Sequence, residues 1–217
     1  MAEDYLERLP LWMRSPGDSG LGEIELLSGG EDPEYGIRYE DPYILLIRDR
    51  VRFPNGSVGS YLRIASTSEL TGAAGTVMVP LWEEYVVFVR IFRHATRSWE
   101  WELPRGFQDP AITEADNARK ETLEELGVSS NWVERIGGFN ANTGLLTGII
   151  GVYQVSLDKD PTTSGRPQSE ESITHFEKVL ASDLSTWIAS GKTRCGITLA
   201  ALALFLAHRT KKKSDCN

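Results

Sequence analysis

Residues 99–128 read WEWELPRGFQDPAITEADNARKETLEELGV, and the pattern of the chain changes inside them. Residues 99–103 alternate aromatic with acidic side chains and read as a strand. From Thr113 the pattern is helical. Thr113 is a suitable N-cap, Glu114 and Asp116 lie in the first turn where they complement the helix dipole, and Gly127 ends the helix in a C-cap position. Between the two, Gly106 lets backbone amides and carbonyls approach a ligand closely. Each helical residue advances about 100° around the axis, so Glu121, Glu124 and Glu125 fall within a sector of about 100°. Carboxylates at this spacing repel, and in the last turn the dipole disfavours them by about a few tenths of a kcal/mol each. A solvated acidic face balanced by Arg119 and Lys120 is one resolution. A cation held between the glutamates is the other, and the order strand, glycine loop, helix favours it.

Upstream, residues 43–53 (YILLIRDRVRF) read as a strand and residues 54–57 (PNGS) as a turn, in which Asn-Gly supplies positive φ angles. Residues 58–65 return as the antiparallel partner. Strands are expected over 76–81 and 85–92 around a short turn. Downstream come strands over 133–137 and 148–155, a polar loop over 158–172, a strand over 173–179 and helices over 184–190 and 197–209. Residues 1–38 are rich in Gly, Asp, Glu and Pro and promise irregular structure or a short helix over 3–13. The organisation expected is therefore an irregular segment over 1–38, a small antiparallel β domain over 39–70, a catalytic domain over 71–209 and a disordered tail over 210–217. The class is α/β (α+β).

A chain of 217 residues, 41% hydrophobic, can bury one substantial core or one catalytic domain with a smaller companion. Its net charge of −8 and pI near 5.0 give no electrostatic footprint for nucleic acid. A small anionic substrate would need metal ions or a few placed arginines. The two cysteines, Cys195 and Cys216, make no disulfide framework. No signal-like or membrane-spanning run occurs, so a cytoplasmic protein without membrane partners is expected.

The central stretch resembles the Nudix box: a glycine followed at fixed distances by a glutamate, an Arg-Glu pair, two adjacent glutamates and a glycine. Gly106 matches the first glycine, Glu121 the glutamate of the pair, Glu124 and Glu125 the adjacent pair, and Gly127 the closing glycine. Two positions depart, Ile112 standing for the first glutamate and Lys120 for the arginine. Over residues 40–209 the flanks YEDPYILLIRDRVRFPNGSVGSYLRI, VVFVRIFRHATRSWEWELPRGF and SGKTRCGITLAALALFLAHR are similar to the ADP-ribose pyrophosphatase branch. The resemblance implies an α/β/α sandwich around a mixed sheet, a small N-terminal antiparallel sheet and a homodimer. It implies metal-dependent hydrolysis of the pyrophosphate linkage of ADP-ribose or a related nucleoside diphosphate sugar. The alternative is a Nudix-fold nucleotide sensor without turnover, which Ile112, Lys120 and Gly148 favour and the three intact glutamates oppose.

By the same resemblance, Mg²⁺ or Mn²⁺ would be held by Glu121 and Glu125, with Glu124 as a third ligand or water-orienting group and the Arg105 carbonyl completing the shell. Hard cations of this kind take oxygen ligands. Arg93 matches an arginine near the diphosphate, where a guanidinium suits phosphate geometry, and Glu102 a position that helps bind substrate or metal. Glu171, with Glu170 as runner-up, matches a catalytic glutamate in the polar loop. Tyr43 and Tyr61 align with aromatic positions that stack on adenine. Thr143 before Gly144, with no acidic residue following, departs from the closer ADP-ribose enzymes and leaves the exact substrate open.

Overall fold

The computed structural model describes residues 5–30, 32–71, 75–164 and 172–215. The chain divides into two compact units, one of Met1–Ala74 with Asn142–Gly148 and one of Gly75–Ala141 with Ile149–Asn217.

The first unit is an antiparallel sheet of β1 (Glu25–Leu27), β2 (Gly36–Glu40), β3 (Ile44–Arg52) and β4 (Val58–Ser66). β4 pairs with β3 along its whole length, and β1 and β2 share the other edge. Leu45, Ile47 and Val51 alternate inward along β3, as a strand with one covered face requires. Leu45 and Ile47 pack with Leu9, Met13 and Ala65. Asp49 is buried in the same row and is satisfied by the Tyr5 hydroxyl at 2.8 Å and by a forked pair from Arg63. Of the two expectations for the N-terminal segment, irregular structure or a short helix, its described residues follow the first. In place of a helix over 3–13 it forms two 3-10 turns, Tyr5–Arg8 and Leu11–Arg14, because Pro10 lacks an amide and restricts the residue before it. It also contributes β1, which is only three residues long and forms because β3 offers an edge. Residues 142–148 return to this unit, where the Ile64 amide donates to the Leu145 carbonyl at 2.8 Å.

In the second unit β5 (Gly75–Trp82), β6 (Tyr85–Arg93), β7 (Ser98–Glu102), β8 (Arg105–Phe107), α1 (Glu114–Leu126), β9 (Ser130–Phe139), β10 (Ile150–Leu157), α2 (Pro161–Ser164), β11 (Ile173–Leu180), α3 (Leu184–Ala189) and α4 (Gly196–Asp215) follow in order. The sheet runs β11-β6-β5-β10-β9, with β7 on β6 and β8 on β5. Only β5 and β10 are parallel. β5 and β6 pair over just Leu81–Val86 and Trp82–Tyr85 before they part, and β7 and β8 fill the gap between them. This split in the sheet positions the candidate site.

Helices cover both faces. Val77, Val79, Val86, Phe88 and Val152 pack with Leu184 and Trp187 of α3 and with Ala201, Leu202 and Phe205 of α4. Met78, Val87, Val89, Tyr153 and Val155 pack on the other face with Ala118 and Leu126 of α1. Complete burial of side chains such as Phe88 and Phe205 contributes about 1.5–3 kcal/mol each. The second unit is thus the expected α/β/α sandwich, and the first unit is the expected small antiparallel sheet. α4 continues past residue 209, where its end was expected, to Asp215. Lysines are good helix formers and suit a helix C-terminus, and Lys212 pairs with Glu134 at 2.8 Å. No helix among the described residues is long and apolar enough to cross a membrane.

Candidate active site

The wedge of β7, Leu103-Pro104 and β8 is fixed from both sides. The Leu103 amide donates to the buried Thr198 hydroxyl of α4 at 3.1 Å, and the Met78 amide of β5 donates to the Pro104 carbonyl at 2.9 Å. The loop that follows hangs on two amide side chains. Asn117, fully buried in α1, accepts from the Asp109 amide and donates to the Phe107 carbonyl and the Thr76 hydroxyl, each at 3.1 Å. Gln108 donates to the carbonyls of Asp109 at 2.7 Å and Ile112 at 2.9 Å. α1 itself begins and ends as its sequence indicates. The Thr113 hydroxyl accepts from the Asp116 amide at 3.1 Å, a cap worth about 1 kcal/mol. Gly127 takes the left-handed conformation, φ 68°, that closes the helix.

Two of the helix carboxylates meet the chain at consecutive positions. Glu125, 3% exposed, accepts the Arg105 amide on Oε1 at 2.9 Å. The Glu121 carboxylate lies against the α-carbon of Gly106, where any side-chain carbon would overlap it. A glycine is therefore required there for close approach rather than for its backbone angles. Glu124 is half-buried. Carboxylate and carbonyl oxygens are the donor chemistry that Mg²⁺ and Mn²⁺ take. Among the described residues, however, no group of three or more His, Cys, Asp or Glu side chains is assembled as a metal shell.

The strand supplies a different set. Glu102 is 2% exposed, so it is no solvated strand acid. Its Oε2 accepts from Arg93 at 2.9 and 3.2 Å and pairs with Arg105 at 3.1 Å. Arg105 thus joins strand to helix, its amide on Glu125 and its guanidinium on Glu102 and on the Cys195 sulfur, at 3.4 Å. Arg93, Glu102 and Arg105 line a cavity of about 640 Å³ together with Glu100, Arg194 and Cys195. The two departures from the box also find their places. Lys120 lies 3.7 Å from Asp109, and Ile112 is 36% exposed.

Tyr43 and Tyr61 belong to the first unit. Tyr43 is exposed, and the Tyr61 hydroxyl donates to the Gly144 carbonyl at 2.9 Å. Glu170 and Glu171 lie outside the described residues. Sequence reasoning missed Asn117, Gln108, Glu100 and Arg194. The alternation of SWEWE was a signal for Glu100, since it shares a face with Glu102.

No family model matches the chain, and no curated protein matches it. Among solved structures it is similar to one described as the crystal structure of an ADP compounds hydrolase, with a TM-score of 0.66 and 14% sequence identity, over 88% of this chain and 93% of that one. At this identity the likeness is one of fold, and the fold is Nudix-like.

Proposed function

We propose that the chain hydrolyses the pyrophosphate linkage of ADP-ribose or a related nucleoside diphosphate sugar, giving a nucleoside monophosphate and a sugar phosphate, with Mg²⁺ or Mn²⁺. The observation that carries this reading is the meeting of Glu121 and Glu125 with Arg105 and Gly106 of β8 at the split of the sheet. Glu121, Glu125, Glu124 and the Arg105 carbonyl are the oxygens that would hold the ion. When bound, the metal neutralises diphosphate charge and lowers the pKa of a coordinated water. The side chains do the rest. Arg93, oriented by Glu102, binds diphosphate oxygens with its planar fork. Glu171, or Glu170 beside it, takes the proton of the attacking water. The likeness in fold to an ADP compounds hydrolase supports the same chemistry.

The test is a turnover panel with ADP-ribose, other nucleoside diphosphate sugars, NADH and dinucleoside polyphosphates, with Mg²⁺, Mn²⁺ or chelator, and with Glu125→Gln as control. Metal-dependent release of a nucleoside monophosphate, lost in Glu125→Gln, is expected. Tight binding without release would establish the second reading, a nucleotide sensor, which the lack of an assembled three-ligand group among the described residues favours. The hydrolase reading also expects a homodimer, and light scattering at the mass of a single 24.2 kDa chain would exclude it.

A further inference from the structure

Ser98, Glu100 and Glu102 share one face of β7, because alternate residues of a strand point the same way. Both glutamates are buried, and both engage arginine. Glu102 takes Arg93 and Arg105, whereas Glu100 takes two nitrogens of Arg194, Nη2 and, at 3.3 Å, Nε. Burial alone would raise the Glu100 pKa, but hydrogen bonds from Arg194 and Ser98 and the Arg194 charge outweigh it and hold the carboxyl below its ordinary value. The carboxylate that orients Arg194 therefore stays ionised. The Arg194 side chain is 66% exposed, so the pair adds little to stability. Its effect is to fix a guanidinium on the wall of the cavity.

That cavity is cationic in an acidic chain. Three guanidiniums line it, those of Arg93, Arg105 and Arg194, against the carboxylates of Glu100 and Glu102, and its remaining lining residues are uncharged. Glu100 and Glu102 are one strand repeat apart, about 7 Å. The arginines they hold, Arg93 and Arg105 on Glu102 and Arg194 on Glu100, are therefore anchored at two separate points of the cavity wall. A ligand whose diphosphate engages the Glu102-anchored side still leaves the Arg194 guanidinium to take a further anionic group.

We propose that Arg194, positioned by Glu100, is a specificity residue that binds a third phosphate group of the substrate. This rests on the reading that Arg93 receives the diphosphate. The preferred substrates are then nucleoside diphosphate compounds that bear a further phosphate, in line with the diphosphate or on the sugar beyond it.

Inorganic pyrophosphate and tripolyphosphate test this without knowledge of the natural substrate. Their affinities for the full chain are measured by calorimetry at fixed Mg²⁺. Alkylation of Cys195 by iodoacetamide in a Cys216→Ser background gives a second readout, because Cys195 lines the same cavity. The wild type should bind tripolyphosphate about tenfold more tightly than pyrophosphate, the gain expected of one added charge-assisted contact. Tripolyphosphate should also protect Cys195 at correspondingly lower concentration. Arg194→Gln should bring the affinity ratio close to one, and Arg194→Lys, which keeps the charge but loses the fork, should fall between. Equal affinities in the wild type, or an unchanged ratio in Arg194→Gln, would overturn the proposal. If the hydrolase reading alone is wrong, the ratio and its dependence on Arg194 persist with no turnover of any compound. If this inference alone is wrong, turnover persists with a ratio near one.

Discussion

Glu100 and Glu102 of β7 meet arginine side chains, and Glu121 and Glu125 of α1 meet the main chain. On the strand, period-two alternation lines up Glu100 and Glu102 along one buried face, and each fastens arginine: Glu102 takes two guanidiniums and Glu100 a third. On the helix, Glu125 takes a backbone amide and Glu121 lies against a bare α-carbon. The same residue type thus performs two tasks set by the element that carries it. β7 makes Glu100 and Glu102 supports for cationic side chains, and α1 delivers Glu121 and Glu125 to β8, where hard-cation ligands are proposed. Arg105 belongs to both sets, through its guanidinium and its amide.

Exchanging charge for a neutral amide tests this contrast most severely on the helix side. In Glu125→Gln the amide oxygen can still accept the Arg105 N–H, so the melting temperature should move little, while metal-dependent turnover should fall on the order of a hundredfold or more. Turnover within a few-fold of wild type would erase the distinction between the two sets. On the strand side, Glu102→Gln leaves two guanidiniums against a neutral group and should cost about 3 kcal/mol in urea unfolding. A cost below 0.5 kcal/mol, on that same scale, would mean that Glu102 does not anchor its arginines. Gly106→Ala sharpens the comparison where the sets adjoin. The added methyl displaces the Glu121 carboxylate and should cost about 1–3 kcal/mol, and a crystal structure with Glu121 unmoved would contradict the packing described. The smallest effect concerns Glu100. Its folded pKa lies below the ordinary 4.5, so its contribution to stability is present above about pH 4.5 and is lost as pH falls through the lowered value. Glu100→Gln should therefore flatten the acid side of the stability profile below pH 4.5 and leave its neutral side parallel to that of wild type.

The helix and its site were legible because they announce themselves locally: Thr113 and Gly127 cap α1, and Gly106 stands at the spacing that places it under Glu121. The longer strands were legible from alternation in β4 and from apolar runs on either side of a short turn in β5 and β6. β1 and β8 were not, since three residues carry no period and each forms only because a longer strand presents an edge. Asn117 reads as an ordinary polar residue on a surface helix, and its burial depends on a loop folding over it. Arg194 lies more than ninety residues from Glu100, so the pair exists only once β7 and the link before α4 are brought together. Lys120 was expected only as a departure from the arginine of the box. In the structure it lies beside Asp109, a loop partner that the spacing of the box does not suggest.

Asn117 gives the loop after β8 an unusual dynamic character. Its side-chain amide holds β5 at Thr76, the end of β8 at Phe107 and the loop at Asp109 to the buried face of α1. The Asp109 amide is engaged by the buried Asn117 side chain, so its exchange requires that bond to break. Most loops exchange their amide hydrogens through local fraying. This one should exchange on the clock of the core, a rigid floor beneath a site whose chemistry depends on fixed oxygen positions.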